Sequence, residues 1–474
     1  MAIILTLCNS SPLGFVSIVV SWRRLSQLPE LSKTLAKALA RALGFPMLYS
    51  AESLHQTPLQ GLNMRFTSFS CALLTLSFFW PGAAFAADWN QWRGPNRDSQ
   101  LIESEWPDAL NGRMQLLWEK PHAPSYSGPV TQDGLVFTTE TIGKKTEKVT
   151  AYNVKTGELV WEKEWPGAMA VPFFAASNGD WIRSTPAVSG DKLLILGMRD
   201  VLVCLDTKTG NENWRLDFPS KTGSPLPAFG AVCSPLIDGD AAYVQSGGAL
   251  VKVSMANGKV LWSSLEDSKG MMSSGSFSSP VIATLAGQRQ LVVQTRQALC
   301  GVDLESGKVL WQQPIESFRG MNILTPVIKG DRIFNTAHSG KAQLFEIAKS
   351  DAGEWSVDEI WSQKSQGYMS SPVLIGDTIY LHQKNQRATA LGTEDGEIRW
   401  TSSPFGKYWS MATNGRKILA LDNSGELLLV TPSSIELEVD DRMKVADDSW
   451  AHIAIQDNLV IVRDLRALKV YQWK

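Results

Sequence analysis

CLDTKTGNENW, residues 204–214, is one of five related copies in this chain, and it shows the repeat most clearly. The other copies begin at Ala151, Lys252, Gly301 and Ala390. A phrase that returns every few tens of residues indicates a repeat architecture. Every copy has Gly at its seventh place and Trp at its eleventh, which gives the marker residues Gly157, Trp161, Gly210, Trp214, Gly258, Trp262, Gly307, Trp311, Gly396 and Trp400.

The chemistry of the phrase predicts a β-hairpin. Its first residues alternate apolar and polar, which is typical of a half-buried strand. Its centre, residues 207–210, is rich in residues that bond to nearby backbone, and Gly accepts a positive φ. A single hairpin is marginally stable in water. We therefore expect the Trp of each unit to pack against a neighbouring unit and not to bind a ligand.

A second phrase precedes each hairpin, as in STPAVSGD from Ser184 and SSPVLIGD from Ser370. A small residue and Pro open an apolar strand, and a Gly-Asp turn leads into another strand. Pro is tolerated at the first residue of a strand. Together the two phrases predict four short antiparallel strands in about 45 residues, which is one blade of a β-propeller.

The number of opening strands predicts the number of blades. Strands open near Pro129, Pro186, Pro235, Pro280, Pro326, Pro372, Ala412 and Ile453, which favours an all-β fold with eight blades; seven is the alternative. Leu116-Leu117-Trp118 resembles the end of a hairpin phrase that has no hairpin before it. We expect this N-terminal strand to complete the last blade and close the ring, because closure removes exposed sheet edges.

The region before the ring divides into three parts. Residues 64–86 have the form of a secretory signal peptide, with Met64-Arg65, an apolar core and Ala84-Phe85-Ala86 as a cleavage site. Residues 1–63 are then a start-site artefact or an unstructured extension; a real extension with its own targeting role is the rival. Residues 87–115 form a Trp-rich lead-in to the propeller, residues 116–474. These features predict a protein exported to the periplasm or secreted, without a transmembrane anchor.

The joined phrases resemble the pyrroloquinoline-quinone-type (PQQ-like) repeat. This repeat builds eight-bladed propellers in quinoprotein dehydrogenases and in the outer-membrane assembly factor BamB. The resemblance runs from about Trp118 to Lys474, and it implies the fold more firmly than the function, because the repeat marks packing and not a cofactor.

The features that the resemblance implies for a quinoprotein enzyme are missing from the sequence. Such enzymes have an adjacent Cys-Cys disulfide, a calcium ion and an Asp base, whereas Cys204, Cys233 and Cys300 are far apart. Asp206 and Asp303 lie in hairpin turns, where Asp bonds its own backbone. We therefore predict no catalytic, metal or cofactor residues, with PQQ and calcium as the alternative.

One face is the candidate for recognition. The loops at residues 165–186 and 218–235 are long and apolar, and further aromatic and cationic residues precede other strands. In a propeller such loops converge around the channel, where they form a recognition surface or fold over each other and plug it. The residues of the predicted face are Trp181, Arg183, Phe229, Arg319, Tyr408, Trp409, Trp450 and His452.

These observations predict a non-catalytic binding or scaffold protein, and the resemblance implies envelope protein assembly or partner recognition as its setting. The alternatives are a quinone-dependent oxidoreductase with a divergent site and a carbohydrate-binding propeller. The net charge of −2 gives no indication of nucleic-acid binding. The expected partner is a protein or an extended ligand on the propeller face, and the expected state is a monomer.

Overall fold

The computed structural model describes residues 7–9, 16–18, 88–102, 104–266 and 275–474. The chain divides into two compact units, Met1–Pro81 and Gly82–Lys474. In the first unit, β1 (Leu7–Asn9) pairs antiparallel with β2 (Val16–Ile18). The predicted signal peptide at 64–86 lies outside the described residues and stays a prediction.

The second unit is a ring of eight four-stranded antiparallel sheets, which confirms the predicted eight-bladed propeller. Blade 1 contains β4 (Val130–Gln132), β5 (Leu135–Ile142), β6 (Thr146–Asn153) and β7 (Leu159–Pro166). Blade 2 contains β8 (Ala187–Ser189), β9 (Lys192–Gly197), β10 (Val201–Asp206) and β11 (Glu212–Asp217). Blade 3 contains β12 (Leu236–Asp238), β13 (Ala241–Ser246), β14 (Ala249–Ser254) and β15 (Val260–Ser264). Blade 4 contains β16 (Val281–Leu285), β17 (Gln288–Gln294), β18 (Ala298–Val302) and β19 (Val309–Pro314).

The second half of the ring repeats this order. Blade 5 contains β20 (Val327–Lys329), β21 (Arg332–Thr336), β22 (Ala342–Lys349) and β23 (Trp355–Gln363). Blade 6 contains β24 (Val373–Ile375), β25 (Thr378–His382), β26 (Arg387–Gly392) and β27 (Ile398–Pro404). Blade 7 contains β28 (Trp409–Thr413), β29 (Ile418–Asp422), β30 (Glu426–Thr431) and β31 (Glu438–Lys444). Blade 8 contains β3 (Met114–Pro121), β32 (Ala454–Gln456), β33 (Leu459–Arg463) and β34 (Ala467–Trp473).

Strand β3 closes the ring as predicted, because it pairs antiparallel with β34 from Met114 opposite Trp473 to Pro121 opposite Ala467. Helical structure among the described residues is confined to three short pieces. They are the α-helix α1 (Phe218–Thr222) and the 3₁₀ helices Phe173–Asn178 and Phe318–Gly320. All three lie in loops between blades.

The repeated phrase forms a hairpin for the expected reason. In blade 2, Asp206 Oδ1 accepts hydrogen bonds from the backbone N–H groups of Lys208 and Thr209 at 3.1 and 2.8 Å. Gly210 then takes a φ of 69°. Asp303 forms the same turn with Glu305 and Ser306 in blade 4. These two carboxylates therefore stabilise the hairpin turns by accepting backbone hydrogen bonds.

The Trp of one blade docks on the Gly turn of the next blade. A Cβ on Gly210 would lie 2.5 Å from the Trp161 ring, so only Gly allows this approach. The Trp161 Nε1–H donates to Thr207 O at 2.8 Å. The same contact joins Trp118 to Gly157, Trp214 to Gly258, Trp262 to Gly307 and Trp361 to Gly396. Blade 5 lacks the marker Gly of the repeat, and Trp311 of blade 4 donates instead to Gln290 of its own blade at 2.7 Å.

The lead-in segment 88–102 lies at the centre of the ring, among the innermost strands. Thr131 N in β4 donates to Trp89 O, Val188 N in β8 donates to Asn90 O, and Leu101 N donates to Thr413 O in β28. The innermost strands of blades 1, 2 and 7 therefore share one central segment.

Two buried arginines fix this segment to two further blades, blade 3 and blade 6. Arg97 donates to Pro235 O and Ser234 O before β12, at 2.7 and 3.0 Å. Arg93 donates to Pro372 O before β24 at 2.5 Å. Burial lowers the pKa of the Arg93 guanidinium to about 10. Carbonyl acceptors offset the cost of burying these charged groups.

Candidate functional site

The loops that connect successive blades, here called the inter-blade loops, converge on one face of the propeller. The strands of each blade alternate in direction, so the hairpin turns with the marker Gly residues lie on the opposite face. The inter-blade loops enclose a cavity of about 1350 Å³. Trp92 of the central segment is part of its lining, and its Nε1–H donates to Thr325 Oγ1 at 2.9 Å. The central segment therefore contributes to the base of the cavity.

Each of the eight inter-blade loops contributes one aromatic side chain to the cavity wall. We call this set the aromatic collar. In blade order its members are Tyr126, Phe174, Phe229, Phe277, Phe318, Tyr368, Tyr408 and Trp450.

The collar residues contact one another around most of the circumference. Trp450 stacks on Tyr126 with ring centroids 4.7 Å apart, and Tyr408 meets Trp450 edge-on at 4.4 Å. Such offset and edge-to-face contacts stabilise aromatic pairs by about 0.5–1.5 kcal/mol each. On the other side, Phe229 lies 6.2 Å from Phe174 and 6.0 Å from Phe277. His338 connects Phe318 to Tyr368, with centroid distances of 5.5 and 4.9 Å.

Three arginines also line the cavity. The Arg183 guanidinium lies over the Tyr126 ring at 5.5 Å and donates to Gly179 O at 2.6 Å. Burial lowers the pKa of Arg183. Arg296 lies over Phe277 at 4.7 Å and donates to Arg319 O at 2.8 Å. The cavity therefore combines aromatic faces with three cationic groups and with the carboxylates of Glu266 and Glu316.

His452 is a neutral group deep in the site. Its Nδ1 lies 3.0 Å from Ile453 O, a carbonyl that only accepts, so Nδ1 carries the proton and Nε2 is left as an acceptor. Burial, together with repulsion from Arg93, lowers the pKa of His452 to about 3. Trp92 packs edge-on against the imidazole at 5.1 Å. His452 therefore links the central segment to the cavity.

The structure places all but one of the predicted recognition residues on the cavity wall. Arg183, Phe229, Arg319, Tyr408, Trp409, Trp450 and His452 line it. Trp181 supports the wall from behind, because its ring meets Tyr126 edge-on at 5.1 Å. Trp409 is 5% exposed and stacks on His382 at 5.1 Å, so it belongs mainly to the core.

Sequence reasoning missed four further contributors, which are Tyr126, Phe174, Phe277 and Phe318, whereas Tyr368 is one of the strand-entry aromatic residues that the sequence indicates. One signal could have identified them, because every segment between an outermost strand and the next opening strand contains an aromatic residue. Their loops differ in length, so no constant spacing reveals the set. The central segment also lines the cavity through Trp92, which the sequence did not indicate.

The described residues contain no group of three His, Cys, Asp or Glu side chains that could hold a metal ion. Cys204, Cys233 and Cys300 are buried free thiols. Burial raises the pKa of Cys233 to about 11, so the reactive thiolate is disfavoured at neutral pH. The three cysteines do not form the adjacent disulfide pair of a quinoprotein enzyme, and we derive no redox step. In the part of the chain that is described, no helix is long and apolar enough to span a membrane.

Residues 145–402 match the sequence model of the family described as outer membrane protein assembly factor BamB. BamB of Yersinia pestis is 21% identical over 288 residues, which are 59% of this chain and 66% of that protein. A polyvinylalcohol dehydrogenase of Sphingopyxis is 30% identical over 192 residues, 36% of this chain and 28% of the enzyme. The chain thus spans slightly under two thirds of the first relative and about a quarter of the second.

Solved structures of two kinds share the propeller fold. BamB from Moraxella catarrhalis superposes with a TM-score of 0.56 at 13% identity, over 76% of this chain and 98% of that one. A quinohemoprotein alcohol dehydrogenase from Comamonas testosteroni gives 0.57 at 11% identity, over 81% and 80%. Identities this low support the fold alone.

Proposed function

The chain belongs to the family of the outer membrane protein assembly factor BamB, and we propose that it is an exported, non-catalytic scaffold that holds a partner protein during envelope protein assembly. The partner binds the face formed by the inter-blade loops. The proposed compartment is the periplasm, which residues 64–86 support through their signal-peptide form.

The aromatic collar is the observation that carries this proposal, because its rim leaves large apolar groups in solvent. Phe173 is 91% exposed, Phe174 54% and Phe318 48%. Phe173 lies beside Phe174 on the same 3₁₀ helix, with ring centroids 5.7 Å apart. Exposed aromatic groups around a concave surface are typical of protein-binding sites. A partner that covers these rings removes their apolar surface from water, which favours association.

Genetic complementation tests the proposal. A strain that lacks this protein receives the wild type, the triple variant Phe173→Ser/Phe174→Ser/Phe318→Ser, or Ile435→Ser. Ile435 is 82% exposed in the turn between β30 and β31, on the opposite face, so it is a matched control. We expect Ile435→Ser to restore outer membrane protein levels and the triple variant to fail. Full restoration by a folded triple variant contradicts the proposal.

A quinone-dependent oxidoreductase is the second candidate. The sequence match to polyvinylalcohol dehydrogenase favours it, although the match covers a minor part of that enzyme. The buried thiols and the lack of a metal-ligand group among described residues do not support it. Calorimetric titration of the purified protein with PQQ and calcium distinguishes the two candidates.

A further inference from the structure

The interior of the aromatic collar differs chemically from its rim of exposed phenylalanines. Tyr126, Tyr368 and Tyr408 line the cavity, and their hydroxyl groups have no hydrogen-bond partner among the described residues. The side-chain amides of Gln297 and Gln312 also line it without a partner in the described part of the chain. The cavity therefore offers broad aromatic faces next to free hydrogen-bonding groups.

Arg319 adds a positive charge at the same site, and the carboxylates of Glu266 and Glu316 also line the cavity. It has a φ of 53° and a ψ of 32°, a left-handed conformation that non-glycine residues rarely adopt. Arg296 holds this turn in place by donating to Arg319 O at 2.8 Å. The Arg319 guanidinium lies 5.1 Å from the centre of the Phe318 ring, and no carboxylate forms a salt bridge with it in the described residues. Strained backbone that a neighbour holds in place is common at binding sites.

We propose that this cavity binds a short acidic oligosaccharide, a chain of sugar rings that carries carboxylate or sulfate groups. The C–H faces of sugar rings pack on aromatic faces, as other apolar groups do. Their hydroxyl groups bond to the free tyrosine hydroxyls and glutamine amides. Arg319 binds the acidic substituent, because a guanidinium recognises planar anions through paired N–H donors.

The other ligand classes fit the cavity less well. A cationic ligand is disfavoured by the net positive charge of the lining, where three arginines outnumber the two carboxylates of Glu266 and Glu316. A purely apolar chain leaves the tyrosine hydroxyls and glutamine amides without partners. An inorganic anion fills little of a cavity of about 1350 Å³, which exceeds the range of about 300–1,000 Å³ for drug-sized ligands. A short oligomer matches both the volume and the lining.

This inference rests on the proposed function in one respect, because both use the same face as the binding face. Their tests differ: the protein partner contacts the phenylalanines of the rim, whereas the sugar lies inside the collar. If sugar binding is absent while complementation depends on the rim, the sugar assignment alone is overturned. If sugar binding is present while the rim variant complements fully, the scaffold function alone is overturned.

Isothermal titration calorimetry of the purified full chain tests the inference with three hexasaccharides. Oligogalacturonate supplies carboxylates, a chondroitin sulfate fragment supplies both sulfates and carboxylates, and cellohexaose is the neutral control. We expect saturable binding of at least one acidic probe, at least about tenfold tighter than cellohexaose. Equal binding of all three overturns the assignment of an acidic ligand, and no binding of either acidic probe overturns the site.

Three variants locate the binding. Arg319→Gln removes the unpaired cation, and Tyr126→Phe/Tyr408→Phe removes two hydroxyl groups without changing ring shape. We expect each variant to bind the acidic probe about tenfold or more weakly than the wild type does. Lys208→Gln removes one positive charge from an exposed turn on the opposite face and should leave affinity unchanged. The inference is overturned if Lys208→Gln weakens binding as much as Arg319→Gln, or if neither cavity variant changes it while circular dichroism shows a native fold.

Discussion

Gly210→Ala tests the contact that joins the blades. The new Cβ would lie 2.5 Å from the Trp161 ring, closer than packed carbon atoms can approach. The left-handed backbone, with a φ of 69°, costs an L-residue about 1–2 kcal/mol. Overpacking of a filled site adds about 1–3 kcal/mol. We therefore expect the free energy of unfolding to fall by about 2–5 kcal/mol.

Gly190→Ala is the matched control for this experiment. Gly190 has a φ of 58°, but a Cβ there would meet nothing within 4 Å. Gly190→Ala should lower the free energy of unfolding only by the cost of the left-handed backbone, about 1–2 kcal/mol. Equilibrium unfolding in urea, followed by tryptophan fluorescence and circular dichroism, measures both losses. Equal losses for the two variants would refute the interlocking of Trp161 with Gly210.

Three further predictions concern the central segment, a buried histidine and the cofactor. Arg93→Met removes the bond to Pro372 O, and we expect urea unfolding to show a loss of about 1.5–3 kcal/mol, whereas an unchanged midpoint would argue against the clamp. Burial holds the pKa of His452 at about 3, below its ordinary 6.5, so the unfolded chain binds a proton first as pH falls from 6.5 towards 3. The free energy of unfolding then falls by about 1.4 kcal/mol for each unit by which the pH drops below 6.5. His452→Gln should flatten this pH dependence, and an identical slope in the variant and the wild type would contradict the prediction. Titration with PQQ and calcium should give no saturable heat, because the described residues contain no metal-ligand group; a calcium-dependent isotherm would favour the oxidoreductase.

The fold could be predicted from local patterns because each blade repeats the same local chemistry. The Gly and Trp markers identify hairpins within a few residues, and Trp118 indicated ring closure because its hairpin was missing. Blade 5 departs from the pattern, and Trp311 of blade 4 therefore donates a hydrogen bond to Gln290 of its own blade. Asp441 lies in β31 and accepts hydrogen bonds from the N–H groups of Leu110 and Asn111, a contact that no local pattern in the sequence indicates.

The site could be predicted only in part because it depends on contacts between residues far apart in the chain. Arg93 and Pro372 are separated by 279 positions, and no local pattern links them. The collar takes one residue from each of eight loops of unequal length, so its members share a position in space without a constant spacing. The inter-blade loops do not fill the central channel by themselves, because the central segment also occupies it. The cavity lies beside that segment.

Site-specific photo-crosslinking in the native host tests the proposed scaffold function most directly. A photoreactive amino acid replaces Phe173 at the rim of the collar or, as control, Ile435 on the opposite face; both side chains are highly exposed, at 91% and 82%. We predict that the Phe173 position crosslinks to a defined envelope protein, identified by mass spectrometry, and that the Ile435 position does not. No crosslinked protein at Phe173, or the same protein at both positions, would contradict the assignment of this face as the partner-binding surface.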